Sequence, residues 1–356
     1  MTLLVLLACT GVDPASLGTY AGPPRVVPAS PRGHADLMVL IDSLPTMSDP
    51  ILDTLKASVA SSDPADWTTS VTHAPLGPVL AHTGIESPIV DYDDPLPEYG
   101  RLQTLARSQV LLARRELADG DPDAATDALL DAMTLGVLLQ YSGGSLVQEM
   151  VGVAVQSIVL QEIVLILGTP QGLGSAGERR LAEQLSMWNA LPPATPHAVG
   201  IECGMMDALY MNPGELEVGF GYDMAKTVTI HRERCDAWVR AVSTPYPKRT
   251  SPEFDELSGG LTNFQGSTLL NMGELDYAQF ASREDRLVAF RQMVVAAVAL
   301  RAGVQDGMWP TVALPIDPMT GAPVAWSPPV LSTIDGGTSS SVPLEWTISL
   351  PPPPAP

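Results

Sequence analysis

The sequence predicts a mainly α-helical protein, an irregular helical bundle with one αα-hairpin and a small β-rich C-terminal appendage. Three observations lead there. Apolar residues recur at helical spacing through most of the 356 residues, as in Leu102, Ala106, Val110, Ala113 and Leu117. Aromatics make up only 5% of the chain while Pro numbers 34, so helices filled with Leu, Val and Ala are separated by Pro-marked connections. After Gly307 the text becomes Pro/Gly-punctuated, with short β-prone runs "APVAW", "PPVLSTI" and "LEWTISL".

In chain order, residues 1–8 read as a signal peptide, because Leu3 to Ala8 are apolar and end on Cys9. Leu6-Leu7-Ala8-Cys9 resembles the lipobox of bacterial lipoproteins, where an apolar segment holds the chain in the bilayer and small residues let a peptidase reach the backbone. The resemblance implies that Cys9 is lipidated and becomes the mature N-terminus, so the membrane is a partner through that lipid. Thr10 stands where an Asp would imply retention at the inner membrane, and so implies the periplasmic face of the outer membrane. Eight residues precede Cys9 and none is Lys or Arg, whereas secretory signals run to about 15–30 residues, so a start upstream of Met1 is expected. Residues 9–33 are rich in Pro, Gly and Ser and read as a tether. That tether argues against the plainer reading of the opening run as an apolar strand or helix start.

The helical domain is expected over residues 34–306. "HADLMVLIDSLP" and "SDPILDTLKASVASS" read as short helices, the second opened by Ser48 and Asp49 before Pro50. "DWTTSVTHAPLGPVLAHTGIESPIVDYDDPLPEYG" has five prolines and no period, the mark of a long functional or surface-packed loop. The hairpin follows, with Leu102, Ala106, Val110, Ala113 and Leu117 on one face and Arg107, Arg114 and Arg115 opposite. Gly120 stops its first helix, Asp121 caps the second and Pro122 occupies the first turn. Ala125, Ala128, Leu129, Ala132 and Gly136 then form a small-residue face for close packing. The pair is similar to one tetratricopeptide unit, but nothing repeats at a period of ~34 residues, so a bundle is expected and not a solenoid. Helices follow from Ser145 to Leu167, from Ser175, and over two cysteine-bearing stretches. Residues 242–272 read as irregular, and a last helix is expected from Ser282, with Asp285 three residues on in a capping-box-like start. It turns Leu287, Phe290, Val294, Ala297 and Val298 inward.

Apart from Cys9, the cysteines are Cys203 and Cys235, an even number that fits export. They lie on "HAVGIECGMMDALYM" and "KTVTIHRERCDAWVRAV", joined through an Asn212-Pro213-Gly214 turn. In an antiparallel pair each sits about 12–15 Å from the loop end, so they can meet as a disulfide. Such a bridge is worth about 3–4 kcal/mol. Two buried free thiols are an alternative, and so is a metal site built from His231, one turn before Cys235, and Glu202 beside Cys203. No Cys-x-x-Cys pair supports the metal.

From Leu102 to Glu202 and again from Arg283 to the end, the chain resembles a family of uncharacterised exported bacterial proteins. The residues that carry this are the hairpin "ARSQVLLARRELADGDPDAATDALLDAM", the apolar helix "LVQEMVGVAVQSIVLQEI" and a tail of helix, Gly-x-x-Pro, Asp-Pro-x-x-Gly and Gly-rich turn. The tail, residues 307–356, is similar to the C-terminal region of major pseudopilins of type II secretion, through Gly307-Met-Trp-Pro310, "PIDPMTGAPVAW", "STIDGG" and a final strand with Trp346. The resemblance implies export and this helical fold, an Asp-Pro that turns a strand, and an acidic loop able to hold calcium, with Asp317 and Asp335 at the matching positions. Filament assembly is not implied, since the pseudopilin's membrane-spanning N-terminal helix has no counterpart in this sequence.

Composition and motifs narrow the chemistry. With 45% hydrophobic and 17% charged residues, the chain can bury a full core, roughly three quarters of its unfolded surface. A net charge of -21, with no Lys/Arg run, argues against nucleic acid and anionic lipid surfaces as partners. "MVGVAVQSIVLQEIVLILG" contains Gln156, Gln161 and Glu162 and falls short of about 18 uninterrupted apolar residues, so it reads as a core helix and not a membrane span. "GFGYDMAKT" lacks the glycines of a phosphate-binding loop at Phe220 and Ala225. "DYDDPLPEYG" clusters Asp91, Asp93, Asp94 and Glu98, but its prolines replace the Gly-centred turn of a calcium loop, and a solvated acidic loop is the reading. Glu149, Glu162 and Glu202 stand on apolar helices, either as paired acids in a cavity or as packing partners of Arg179, Arg180 or Arg232. His34, His73, His82, His197 and His231 are scattered, and no nucleophile elbow, zinc-protease pair or cofactor motif is present. The expected function is a lipid-anchored binding or structural component of the cell envelope, with an envelope protein as a further partner. The alternatives are an exported hydrolase whose site lies under the residue 67–99 loop, using Asp91 or Glu149, and an accessory of a pilus or secretion machine.

Overall fold

Helix signals and their stops become helices in the computed structural model, which describes residues 17–18, 20–24, 31–44, 49–61, 63, 76–82, 98–141, 143–212, 221–254, 263–272, 275–304, 308–333 and 347–353. Among the described residues the order is α1 (Pro31–Ser43), α2 (Asp49–Ala60), α3 (Gly77–Leu80), α4 (Gly100–Ala118), α5 (Pro122–Tyr141), α6 (Leu146–Leu167), α7 (Gly174–Asn189), α8 (Thr195–Met211), α9 (Met224–Val242), α10 (Phe264–Met272) and α11 (Tyr277–Ala302). Three short strands close the chain: β1 (Ala325–Ser327), β2 (Val330–Ser332) and β3 (Thr347–Ser349). The protein is mainly helical with one small antiparallel sheet, as the periodicity predicts.

The α4–α5 hairpin turns where its sequence says it should. Gly120 takes φ +86°, and Asp121 Oδ1 accepts from the Ala124 amide at 2.9 Å. Leu102, Ala106, Val110 and Ala113 are buried, but Arg114 is not on a solvent face. Its guanidinium donates both Nε and Nη2 to Glu162 of α6 at 2.6 Å, and Nη1 to the Val59 carbonyl at the end of α2. α6 runs through the centre, packed on α4, α5, α8 and α11. By length and composition it could cross a membrane. Its Gln148, Glu149, Gln156 and Glu162 are buried and bonded inside the protein, which fits a core helix.

Three expectations need correcting. The Pro-rich stretch before α4 includes the one-turn helix α3, opened by Gly77-Pro78. Residues 242–272 include α10, held to the start of α9 by Asn263, whose Oδ1 accepts from the Asp223 amide at 2.7 Å. The last helix begins at Tyr277, not Ser282: Asp276 caps it by accepting from the Ala278 amide at 3.2 Å. Ser282 is already helical and donates back to the Ala278 carbonyl at 2.7 Å, while Asp285 pairs with Arg249 at 2.8 Å.

The strands order as β1-β2-β3, with Leu331 opposite Ile348 and both fully buried. The small β appendage is there as expected, and Val324, Leu331, Ile348 and Leu350 pack it into the same core as α4–α7 and α11. At the other end, the stretch read as a tether is fixed where it is described. The Leu17 and Gly18 carbonyls accept from Arg232 at 2.7 and 2.8 Å, Tyr20 donates to Asp236, and Gly22 meets Gly200 of α8 backbone to backbone. Pro31 to Gly33 are already helical, Pro31 at the first position that tolerates it.

α5 and α6 approach closely because Gly136 and Gly152 face each other. A Cβ on Gly152 would lie 2.5 Å from both the Gln140 nitrogen and the Gly136 oxygen, atoms that no rotamer change can move. Gly204 of α8 has open space instead. Gly152→Ala should therefore cost about 2–3 kcal/mol in chemical denaturation, while Gly204→Ala should gain about 0.5–1 kcal/mol from helix propensity.

Candidate functional site

A groove of about 1150 Å³ lies between α7, the last turns of α11 and the C-terminal segment. α11 carries Val295, Val298, Ala299 and Ala302 toward it, α7 carries Ala182, and Val304, Trp309 and Pro351–Pro353 complete a mainly apolar wall. Trp309 is held edge-on against Trp326 at the start of the sheet, with ring centroids 5.3 Å apart. Arg301 ties the floor together: it pairs with Glu178 of α7 at 3.0 Å and donates to the Leu167 and Thr169 carbonyls at 2.7 and 3.0 Å. Burial pushes Glu178 above the usual carboxylate range, and Arg301 pulls it back. Arg179, exposed on the rim, makes no ion pair among the described residues. The groove thus offers a long apolar surface edged by Arg179 and, one turn further along α7, by the exposed Glu183. Its residues went unnoticed in the sequence because the stripe Val295, Val298, Ala302 has ordinary core spacing.

A second cluster is buried where α5, α6, α8 and α11 meet. Glu284 of α11 accepts from Gln140 of α5 at 2.9 Å, from the Ala194 and Thr195 amides at 2.7 and 3.0 Å, and from the Thr195 hydroxyl at 2.8 Å. The same hydroxyl lies 2.5 Å from Glu149. A hydroxyl has one proton, so with both carboxyls on it one of them must be the donor. Burial, and then the charge of Glu284, hold Glu149 well above the ordinary carboxylate range, against the opposing pull of its Thr195 hydrogen bond. Of the two carboxyls that share the Thr195 hydroxyl, Glu149 is thus the one that burial pushes toward its neutral form. Arg291, fully buried, donates Nη1 to Gln156 at 3.2 Å, while its Nε and Nη2 meet no acceptor in hydrogen-bond geometry among the described residues. The neighbouring void, lined by Gln140, Tyr141 and Ala194, is about 10 Å³, no more than a single water needs. Glu284 serves the start of α8, where it accepts from the Ala194 and Thr195 amides.

The other acids expected as a group are dispersed. Glu162 pairs with Arg114, and Glu202 accepts from the Leu146 amide at 2.8 Å at the start of α6. Neither uses Arg179, Arg180 or Arg232; Arg180 pairs with Asp127 and Arg232 with Asp207. Cys203 and Cys235 are joined as a disulfide between α8 and α9, with Cα atoms 6.0 Å apart. His231 lies against it, Nε2 3.4 Å from Cys235 Sγ and 3.0 Å from the Cys203 carbonyl oxygen. The three form a buried ligand-like group, but sulfurs bonded to each other are not thiolate ligands, and Glu202 faces α6. Asp223 in "GFGYDMAKT" caps α9, accepting from the Lys226 amide at 3.1 Å. Asp317 is buried and builds a turn, accepting from the Met319 amide at 2.8 Å. Glu98 pairs with Arg101, His82 with Asp36, and His197 with the Pro23 carbonyl. Cys9, Asp91, Asp93, Asp94, His73, Gly307, Asp335 and Trp346 lie outside the described residues.

Asp285 behaves like Glu149, raised by burial to about 6 despite Arg249. With both acids favoured in their neutral form, the folded state binds more protons than the unfolded chain above the ordinary carboxylate pKa of about 4. Stability therefore falls as pH rises, through about 6 for Asp285 and onward for Glu149. Glu149→Gln, which removes one of these titrations, should leave stability near that of the parent at about pH 4 and make its decline toward about pH 8 shallower, as read by urea midpoints across pH. No family model, curated protein or solved structure matches the chain.

Proposed function

We propose that the protein is a non-catalytic binding component of the bacterial cell envelope, lipid-anchored through Cys9 on the periplasmic face of the outer membrane. Its ligand is an elongated apolar molecule with an acidic end. The observation that carries this reading is the groove between α7 and α11: apolar along its length, larger than the roughly 300–1000 Å³ of small-molecule pockets, and rimmed by Arg179. The deep acids support binding over hydrolysis, since Glu149 and Glu284 hold helix ends. The Cys203–Cys235 bridge supports an oxidising compartment, and the Leu6-Leu7-Ala8-Cys9 run supports the anchor.

Titration with anilinonaphthalene sulfonate, an apolar anion whose fluorescence rises in apolar sites, tests the groove. Ala299 is exposed, so Ala299→Trp fills the groove and leaves the core intact; it should weaken probe binding about tenfold or more. Arg179→Glu should weaken the anionic probe and spare a neutral naphthalene analogue. Unchanged affinity in both variants would reject the groove as the binding site. For the anchor, palmitate label should enter the protein in growing cells and vanish in Cys9→Ser; label that persists in the variant refutes lipidation at Cys9.

A further inference from the structure

The anchor reading leaves open which face of the protein meets the membrane, and the packing of the N-terminal segment settles a geometry for it. Leu17, Met206, Met211, Met224 and Leu269 are each only partly buried, and all pack on one small cluster of Tyr210, Val228 and Leu270. This patch lies at the end of the disulfide-joined α8–α9 pair. Phe264 stands beside it, 49% exposed, its ring against Gly221. Leu17 is itself part of the patch and is pinned there, since Arg232 binds both the Leu17 and Gly18 carbonyls.

Covalent geometry then limits how far the patch can be from a lipid on Cys9. Eight residue steps separate Cys9 from Leu17, and at most ~3.5 Å per step they reach roughly 28 Å. A surface held within that distance meets the bilayer at a high effective concentration. Methionine suits such a contact, because its unbranched, polarisable side chain adapts to an irregular apolar partner. Charge does not drive it: the chain carries a net -21.

We infer that the Met206–Met211–Met224 face of α8 and α9 rests on the lipid surface. This rests on the anchor reading and extends it to an orientation.

The methionines report on the contact directly. Cys9 is the one cysteine outside the disulfide, so the full chain can be coupled through it to a maleimide lipid in phosphatidylcholine vesicles, with chain capped by N-ethylmaleimide as the lipid-free reference. Both are treated with dilute peroxide, and sulfoxide is read peptide by peptide by mass spectrometry. Met206, Met211 and Met224 should oxidise about threefold or more slowly on vesicles, also at high salt. Met187 and Met308, 58% and 68% exposed and outside the patch, should keep their rates. Equal rates at the three methionines, or slowing at Met187 and Met308 instead, overturns the orientation. The chemical coupling separates this from the anchor itself. Protection without palmitate uptake in cells keeps the face and removes the natural anchor; palmitate uptake without protection does the reverse.

Discussion

One carboxylate holds the helical body in register. Glu284 arrives from α11 and accepts from α5 and from both amides at the start of α8, groups that would otherwise be buried donors without acceptors. A buried donor left unpaired costs about 1–3 kcal/mol, so the three elements keep this relation or lose several such bonds together. Everything around the site follows from it. Arg291 lies two turns along α11, Gln156 bridges it to Gln140, and Glu149 completes the chain through Thr195. The arrangement positions α11 end to end, so that its first turn meets the α8–α9 pair and its last turns form the groove wall.

The division of labour among the charges is strict. Arg114, Arg301 and Arg232 each reach a carboxylate and a backbone carbonyl at once, and each fastens a segment that packing alone holds weakly: the end of α2, the turn after α6, and Leu17 with Gly18. A planar fork with five donors can do this where a lysine cannot. Arg179 is left on the groove rim outside any described ion pair.

Local signals in the sequence were legible because they act over a few residues. Gly120, Asp121 and Pro122 end one helix and begin another whatever surrounds them, and Ser145 opens α6 as a cap. Cys203 and Cys235 meet because an antiparallel pair brings equal distances from a turn together. What could not be read depends on partners far along the chain. Arg114 looks like a solvent residue until Glu162 is placed beside it, and Glu284 follows Arg283 in an ordinary polar stretch, with nothing to mark it as the cap of α8. Ser282 misled for a related reason: it has the chemistry of a cap, but Asp276 stands earlier and takes the role. The groove was hidden because an apolar residue facing a cavity has the same spacing as one facing a core.

The reach of Glu284 also orders the making of the protein in time. Gln140 lies 144 residues before it and Ala194 lies 90 before it, while α4, α5 and α6 meet through short turns. Local contacts form early and distant ones late, because closing a long loop costs more entropy before any bond rewards it. A growing chain can therefore assemble the α4–α6 unit as soon as those helices emerge. The start of α8 stays uncapped until α11 has been synthesised, and the body closes only when nearly the whole chain exists.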